Sequence, residues 1–340
     1  MSIQPFQKGG GLSGLVNLGN TCYLNSAIQC LSHTHELTHY LLSDKYKEDA
    51  NYDRKEYKLL VEYIKVIKGL WDDPCIVKPV SFRNVLGELE PRFKGSQQQD
   101  SQEILSILLN ILHLAVSYKV EVSYGGKPQN ELDKMMIDAI KTWGLTFKHE
   151  YSPLLEIFFG QFHSKLVCTN CNQTTSNYDP FSVLTVPITS KCTNIYDCFD
   201  EFSKTELLDT DNQWLCEKCN TRANAHKSMT LWRMPKILII CFKRFSFSMY
   251  SQKINIPINF PLDNLNLNKY VEGYDKYEAK YNAFGIINHT GGIGGGHYYA
   301  YCKYVDNNWY EFNDEGVSPL DNTKINKNNA YVVFYRRGGA

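Results

Sequence analysis

Three short segments carry side chains that together can do nucleophilic chemistry. Cys22 lies near the start of the chain, His297 follows three consecutive glycines near the end, and Asn313 and Asp314 come within the next 17 residues. A thiol nucleophile, an imidazole base and a side chain that orients the imidazole are the parts of a thiol hydrolase. Cys22 and His297 are 275 positions apart, so only the fold of a whole domain can bring them together.

The residues around Cys22 predict a nucleophile at the start of a helix. Asn20 or Thr21 can cap that helix. The partial positive charge of a helix N-terminus favours the thiolate, which is the reactive form of cysteine. The free amides of the first turn can bind a developing oxyanion, and Asn17 can add its side-chain amide to them. The alternative is a buried cysteine at the start of a core helix.

His297 and the Asn313-Asp314 pair predict the base and its orienting partner. Glycines allow a backbone to approach a ligand closely, so residues 291–296 can line a narrow channel beside His297. A strand, a turn at residues 306–308 and a returning strand would bring Asn313 or Asp314 level with the imidazole, where either can fix its tautomer. The alternatives are a glycine-rich hairpin with an incidental histidine and a simple turn at 313–314.

Two Cys-x-x-Cys pairs predict a structural zinc site. The four thiols belong to Cys168, Cys171, Cys216 and Cys219. They fit one closed tetrahedral Zn²⁺ site, whereas a catalytic zinc needs an open position and usually has histidine or carboxylate ligands. The 44 residues between the pairs, which include Cys192 and Cys198, predict extra strands or a loop. The alternatives are a site that has lost its metal and a redox pair, but neither pair lies in a βαβ pattern.

The spacing of apolar residues changes from helical in the first half to strand-like in the second. Helical spacing predicts helices at residues 21–31, 56–70, 98–115 and 132–143. Runs rich in β-branched and aromatic residues predict strands at residues 158–167, 175–186, 237–245, 283–289, 297–304 and 330–335. The order predicts the α+β class, with helices first, antiparallel strands later and one composite domain.

Composition and charge narrow the classes of function. The 340 residues include 36 basic and 36 acidic ones, so bulk charge favours neither a nucleic-acid nor a membrane-surface partner. The apolar runs at 104–116 and 237–242 are too short to span a bilayer. Residues 1–8 lack the basic and apolar regions of a secretory signal, and eleven cysteines then suggest a reducing compartment. We expect an intracellular protein that is located in the cytoplasm, and the nucleus is the alternative location.

Several segments resemble the sequence boxes of the ubiquitin-specific protease family of deubiquitinases, which are papain-like cysteine peptidases. The resemblance covers nearly the whole chain. Its segments are residues 14–26 (the cysteine box), 98–105 (the glutamine–aspartate box), 159–161, 179–181, 186–188, 235–245, 288–301 (the histidine box) and 309–314. Each box alone is moderately specific, and their common order is very specific.

The resemblance implies a papain-like fold with a helical thumb, a palm and zinc-stapled fingers of antiparallel strands. One catalytic domain would cover residues 12–338, with the thumb at about 12–150, the fingers and palm at about 151–338, and an N-terminal tail at 1–11. Cys22 would be the nucleophile and His297 the general base. Asn313 would orient His297, with Asp314 as its neighbour or substitute, and Asn17 would complete the oxyanion hole. The four cysteines would bind one structural zinc ion, and no catalytic cofactor is expected.

The resemblance further implies hydrolysis of the isopeptide or peptide bond after the C-terminal glycine of ubiquitin, through a thioester on Cys22. Ubiquitin would rest on the fingers and palm, and its Gly-Gly tail would pass between thumb and palm beside Gly295 and Gly296. The arginines before that tail would pair with Asp100 and Glu103. The alternative for both acids is a charge complement to a helix N-terminus. Ubiquitin and ubiquitinated proteins would be the partners of a monomer.

Departures from the family pattern and competing functions stay open. Cys241 and Ile104 replace a histidine and a phenylalanine that the family often has, and residues 117–147 match no box. Both replacements suit a packed core. The competing functions are a catalytically silent ubiquitin-binding scaffold, a protease for a ubiquitin-like modifier, and a zinc-knuckle nucleic-acid binder. The nearly neutral flanks of the cysteine pairs disfavour the last of these.

Overall fold

Helices form most of the chain before residue 160. The computed structural model describes residues 10–72, 74–123, 125, 127–246, 252–292 and 295–338, so residues 1–9 of the predicted tail lie outside it. The helices are α1 (Cys22–Ser32), α2 (His35–Leu42), α3 (Tyr46–Asp49), α4 (Tyr57–Trp71), α5 (Val80–Leu89), α6 (Ser101–Ala115), α7 (Glu131–Phe147), α8 (Pro153–Phe158) and α9 (Ile195–Phe202). The four predicted helices are α1, α4, α6 and α7. None of the helices in the described part is long and apolar enough to cross a membrane.

Strands form most of the rest of the chain. They are β1 (Gly14–Leu15), β2 (Ile76–Val77), β3 (Gly160–Cys168), β4 (Thr174–Asn177), β5 (Pro180–Phe181), β6 (Leu184–Val186), β7 (Glu206–Leu208), β8 (Trp214–Cys216), β9 (Thr221–Ala223), β10 (Ala225–Arg233), β11 (Ile237–Phe242), β12 (Phe245–Ser246), β13 (Gln252–Lys253), β14 (Leu265–Asn266), β15 (Lys280–Gly292), β16 (Gly295–Lys303), β17 (Trp309–Asn313), β18 (Gly316–Leu320) and β19 (Ala330–Arg337). The predicted strand at 158–167 begins only at Gly160, because Phe158 ends α8. The predicted strand at 175–186 is three short strands.

One eight-stranded sheet separates two apolar cores. Its order is β18-β17-β16-β15-β19-β11-β6, with β14 beside β15. Along β11, Ile237, Ile239 and Cys241 face the core that contains α1, α4 and α6. The alternate residues Leu238, Ile240 and Phe242 face the core that contains α9. Both faces of β11 are therefore buried, which explains its unbroken apolar sequence and the easy fit of Cys241.

A second sheet, of order β4-β3-β10-β7, extends from the first and ends at the cysteines. Strands β3 and β10 pair antiparallel over their full length, so that Cys168 at the end of β3 lies opposite Ala225. The hairpin β8–β9 lies beside them and begins its turn at Cys216. This sheet has the antiparallel form that was predicted for the fingers.

The segment 117–147, which matched no sequence box, lies beside the base of the second sheet. Its helix α7 packs Ala139 against Tyr178 and Trp232. Gln161 on β3 donates a hydrogen bond from Nε2 to the carbonyl oxygen of Ala139, at 3.1 Å. The segment thus contributes a helix that supports the start of β3.

Candidate active site

The segment that leads into Cys22 lies directly against the segment that follows Asn313. The amide of Leu15 donates to the carbonyl oxygen of Asp314 at 2.8 Å. The amide of Asn17 donates to a carboxylate oxygen of Glu315 at 3.0 Å. A side chain at Gly14 would overlap the carbonyl oxygen of Glu315, so only glycine allows this approach. These contacts place the start of α1 beside the end of β17.

His297 and Asn313 meet across the β16–β17 pair. The two strands are antiparallel, with Ala300 opposite Phe312. The connecting turn contains Asn307 in the left-handed conformation, with φ of 67°. His297 Nε2 lies 2.7 Å from Asn313 Oδ1. Because an amide oxygen can only accept, Nε2 carries the proton and Nδ1 is left as the basic nitrogen.

Asp314 contacts α1 and the loop before it instead of the imidazole. Its Oδ1 accepts from Asn25 Nδ2 at 2.7 Å, and its Oδ2 accepts from Asn17 Nδ2 at 2.9 Å. Sequence reasoning left open whether residue 313 or 314 meets His297, and the structure places Asn313 there. It also missed Asn25. Its signal was a polar residue one turn after Cys22, in a helix of which every residue is buried.

The side chain of Asn17 shapes the loop that precedes α1. Its Oδ1 accepts from the amides of Gly19 at 3.0 Å and Thr21 at 3.1 Å. Thr21 occupies the N-cap position of α1, which is one of the two predicted positions, but its side chain makes no capping hydrogen bond, and Asn20 donates instead to the carbonyl oxygen of Ser96. The first amides of α1 are consequently left for other acceptors.

Cys22 is a buried thiol in the resting site. Burial raises its pKa, the Tyr298 amide lowers it, the charge of Asp314 raises it, and the amides of Tyr23 and Cys22 lower it. The net direction of the shift is upward. The helix amides act in the expected direction, but burial and Asp314 outweigh them. No hydrogen bond joins Cys22 to His297 within the described residues.

The glycines beside His297 are required by packing within the hairpin. A side chain at Gly296 would overlap His289, and a Cβ at Gly291 would lie 2.6 Å from the carbonyl oxygen of Gly295. A Cβ at Gly295 would point into open space. A Cβ at Gly292 would likewise point into open space, so the predicted channel gains width directly at Gly292 and Gly295. Positions 293 and 294 of the glycine-rich segment lie outside the described residues.

A cleft of 280 Å³ runs between α6 and the β15–β16 hairpin. It is lined by Gln98, Gln99, Asp100, Glu103, Phe245, His289, Gly292 and Tyr298. Asp100 caps α6, with Oδ1 accepting from the Gln102 amide at 2.7 Å, and its Oδ2 accepts from the Tyr331 hydroxyl at 2.7 Å. Glu103 pairs with Arg92. Both acids thus line the cleft, but each already has a partner within the protein.

Gln98 joins the two sides of this cleft. Its Nε2 donates to the carbonyl oxygen of Gly296 at 2.9 Å, and its Oε1 accepts from the Gly296 amide at 3.1 Å. Sequence reasoning did not identify Gln98 as a site residue, because 198 positions separate it from Gly296. The side-chain amide pairs with the backbone as a neighbouring peptide strand would.

The four cysteines of the two Cys-x-x-Cys pairs form one cluster at the end of the second sheet. All four sulfurs lie within 4.8 Å of one another, with 3.9 Å between Cys168 and Cys219 and 3.6 Å between Cys171 and Cys216. Tetrahedral zinc with bonds of about 2.3 Å separates its sulfurs by about 3.8 Å. Disulfide sulfurs are about 2.05 Å apart. The donor set therefore fits Zn²⁺.

The backbone around the cluster is also shaped for a metal. Asn172 and Asn220, each directly after the second cysteine of its pair, are left-handed, with φ of 56° and 50°. Both knuckles thus turn in the same way. Cys192 and Cys198 are buried in the core of the first sheet and take no part.

Comparisons with known proteins agree with this geometry. The family model described as "Ubiquitin carboxyl-terminal hydrolase" matches residues 13–335. Bovine "Ubiquitin carboxyl-terminal hydrolase 2" is 36% identical over 335 residues, which are 96% of this chain and 55% of the relative. Human "Ubiquitin carboxyl-terminal hydrolase 21" is 32% identical over 360 residues, 99% of this chain and 63% of the relative. The chain spans 55% of the length of the first of these relatives and 63% of the second.

Solved structures show the same fold. A chain of the SAGA Ubp8/Sgf11/Sus1/Sgf73 DUB module bound to ubiquitin aldehyde matches with a TM-score of 0.73 at 24% identity, covering 99% of this chain and 72% of that chain. The module bound to monoubiquitin matches with a TM-score of 0.75 at 23% identity, with coverage of 99% and 71%. The predicted α+β fold is confirmed.

The helical layer and the sheet packed against it, together with the family match, place the chain in the class of papain-like cysteine peptidases. Within that class, this chain belongs to the ubiquitin carboxyl-terminal hydrolase family, of the ubiquitin-specific protease type. The family resemblance inferred from the sequence boxes is confirmed.

Proposed function

We propose that this chain is a thiol deubiquitinase that hydrolyses the bond after the C-terminal glycine of ubiquitin. The observation that carries the proposal is that Cys22, whose thiol lies against the Tyr298 amide, stands beside the pair of His297 and Asn313, whose Nε2 and Oδ1 atoms are 2.7 Å apart. A cleft between α6 and the glycine hairpin lies next to them. Membership of the family supplies the substrate class. The Cys22 thiol, the His297 imidazole with its contact to Asn313 and the first amides of α1 support the proposal.

In the proposed reaction, His297 Nδ1 takes the proton of the Cys22 thiol as sulfur attacks the carbonyl carbon. The new oxyanion accepts hydrogen bonds from the first amides of α1 and from Asn17. The protonated imidazole then gives its proton to the departing lysine amine, the C–N bond breaks and a thioester remains. Water attacks the thioester carbonyl, His297 takes its proton, and the Cys22 sulfur leaves and is reprotonated.

Substrate binding must change the resting site. Cys22 is a thiol without a hydrogen bond to His297 among the described contacts, and the Nδ2 of Asn17 is engaged by Asp314. Catalytic hydrogen bonds often tighten only in the substrate complex. We therefore propose that the tail of ubiquitin in the cleft aligns Cys22 with His297 and recruits Asn17. Asp100 and Glu103 would face the arginines of the tail from the α6 side of the cleft.

Zinc has a structural role in this proposal. Cys168, Cys171, Cys216 and Cys219 would hold one Zn²⁺ ion and so keep the far end of the second sheet folded. No step of the reaction uses the metal.

The proposal is tested with ubiquitin that carries a C-terminal alkyne warhead, and with a matching warhead on a ubiquitin-like modifier. We expect one covalent adduct with ubiquitin, on Cys22, together with release of amine from a ubiquitin C-terminal amide. A reaction with the other modifier alone would reassign the substrate. Tight ubiquitin binding without adduct or hydrolysis would show a silent scaffold and overturn the proposal.

Replacing Asp314 by asparagine should make Cys22 react with iodoacetamide at lower pH and should slow hydrolysis of a ubiquitin amide. The negative charge of Asp314 raises the pKa of Cys22, so Asp314→Asn should lower that pKa and shift iodoacetamide alkylation of Cys22 to lower pH. The variant keeps only one acceptor for the amides of Asn17 and Asn25. Hydrolysis of the ubiquitin amide should therefore fall, by about 10²-fold if the oxyanion contact of Asn17 is lost.

The control for this prediction is Glu311→Gln, which removes a charge from strand β17, just before Asp314. It should leave both measurements close to those of the unsubstituted protein. An alkylation profile of Asp314→Asn that stays in place or moves to higher pH would refute the assigned effect of its charge.

A further inference from the structure

Lys253 makes two hydrogen bonds to the backbone of the hairpin that carries His297. Its ammonium group donates to the carbonyl oxygen of His289 at 2.8 Å and to that of Gly291 at 3.0 Å. Lys253 is half-buried on β13, which pairs with β12 through Phe245. The contacts therefore tie the β12–β13 pair to the end of β15.

The two carbonyl groups belong to the part of β15 that faces the reacting side chains. His289 lies opposite Tyr298, Thr290 opposite His297, and Gly291 opposite Gly296. The amide of Tyr298 is itself one of the groups that lower the pKa of Cys22. The position of this short stretch of β15 thus sets where both the imidazole and the Tyr298 amide stand relative to the sulfur.

The opposite strand of the same hairpin is held from the other side of the cleft. Gln98 bonds both backbone groups of Gly296. The hairpin is consequently held at two points, by an exposed glutamine from the α6 side and by Lys253 from the sheet side. A peptide tail that enters the cleft meets Gln98, whereas Lys253 is not among the residues that line the cleft.

Burying the ammonium group of Lys253 costs free energy. Packing alone does not explain why a lysine occupies this position. Among the described residues Lys253 has no carboxylate partner, and burial together with the charge of Arg244 lowers its pKa. A methionine would fill similar space without that cost, but it cannot donate hydrogen bonds. The two donated bonds are what the ammonium group adds.

We propose that Lys253 is a positioning residue that fixes the end of β15, and through it His297 and the Tyr298 amide, relative to Cys22. The proposal rests on the function proposed above for the same site. Lys253 does not touch the reacting atoms, and it acts only through the backbone of residues 289–291. Ammonium is suited to this role because its three donors can reach two carbonyl oxygens of one short segment.

The test compares Lys253→Met, Lys253→Arg and, as a matched control, Lys243→Met at an exposed lysine of the same region. The first measurement is the pH profile of Cys22 alkylation by iodoacetamide, read by peptide mass spectrometry, which needs no ubiquitin. Loss of the Tyr298 amide contact should move the profile of Lys253→Met to higher pH, by about half a unit or more. Asp314, the charged group that raises the pKa of Cys22, is unchanged in all three variants.

The second measurement is hydrolysis of a ubiquitin C-terminal amide. In Lys253→Met we expect kcat to fall about 10- to 100-fold, since misplacement of about 1 Å can cost that much, while KM changes less than about threefold. Lys253→Arg should recover part of both the rate and the alkylation profile, and Lys243→Met should match the unsubstituted protein.

The outcomes separate this inference from the proposed function. An unsubstituted protein that does not hydrolyse ubiquitin overturns the function, and the alkylation profiles then still decide the role of Lys253. An unchanged profile in Lys253→Met overturns the positioning role. A loss of kcat that Lys253→Arg does not relieve, with a lowered Tm in both variants, also overturns it, because that pattern is a general loss of stability.

Discussion

Cys22→Ala should abolish hydrolysis of ubiquitin conjugates and the adduct with a ubiquitin alkyne, while ubiquitin still binds. Removal of the nucleophile of a hydrolase costs at least about 10⁴-fold in kcat. No described cysteine offers a substitute, because Cys30 and Cys302 are enclosed between α1 and β16 and Cys75 is exposed beside β2. Ubiquitin binding should survive, since the cleft lining does not include Cys22.

The matched control is Cys75→Ala, which removes an exposed thiol from the same half of the chain. It should keep full activity and form the adduct at the normal rate. An adduct that persists in Cys22→Ala, or a loss of activity of equal size in Cys75→Ala, would mean that Cys22 is not the nucleophile.

Cys168→Ser and Cys216→Ser should each release zinc and unfold the end of the second sheet. The apolar material there is small, with only Cys168, Cys216 and Ala223 buried and Trp214 packed partly against them. Such a cluster cannot fold without the metal, and zinc binding contributes about 10–16 kcal/mol in small zinc domains. We expect about one zinc per chain in the unsubstituted protein and far less in either variant.

The measurements are zinc content by mass spectrometry, limited proteolysis and ubiquitin affinity. The variants should be cleaved within residues 168–223 and bind ubiquitin more weakly, yet keep the alkylation profile of Cys22, because the metal takes no part in the chemistry. Cys75→Ser again serves as the control. Variants that keep their zinc, or lose it and stay resistant to protease, would contradict a structural zinc site.

Local patterns were enough to predict the main elements. Helical spacing located α1, α4, α6 and α7, and the Cys-x-x-Cys spacing located the cluster of four sulfurs, since both signals depend on residues that are close in sequence. Short helices such as α2 and α8 were not predicted, because six to eight residues show too little of the helical period. Residues 175–186 were predicted as one strand, because the spacing of β-branched residues does not show where the pairing between strands ends.

The details of the site depend on contacts between distant residues, which local patterns do not carry. Asn25 meets Asp314 from 289 positions away, and Lys253 meets His289 from 36. The net shift of the Cys22 pKa could not be predicted for the same reason. The helix amides could be inferred from neighbours in sequence, but the burial and the Asp314 charge that oppose them come from the other end of the chain.

Residues 14–17 contact residues 314–315, and Asn17 is 298 positions from Glu315. This contact can therefore form only late in the synthesis of the domain. A growing chain that has emerged as far as residue 303 already contains Cys22, the zinc ligands and His297, but it lacks Asn313 and Asp314. The loop before α1 then has neither the Asp314 nor the Glu315 contact, and the imidazole has no fixed tautomer. Contacts so far apart in sequence also form late in folding. The proposed active site is therefore assembled only when synthesis of the domain is almost complete, so chains that end before Asn313 should lack the proposed activity.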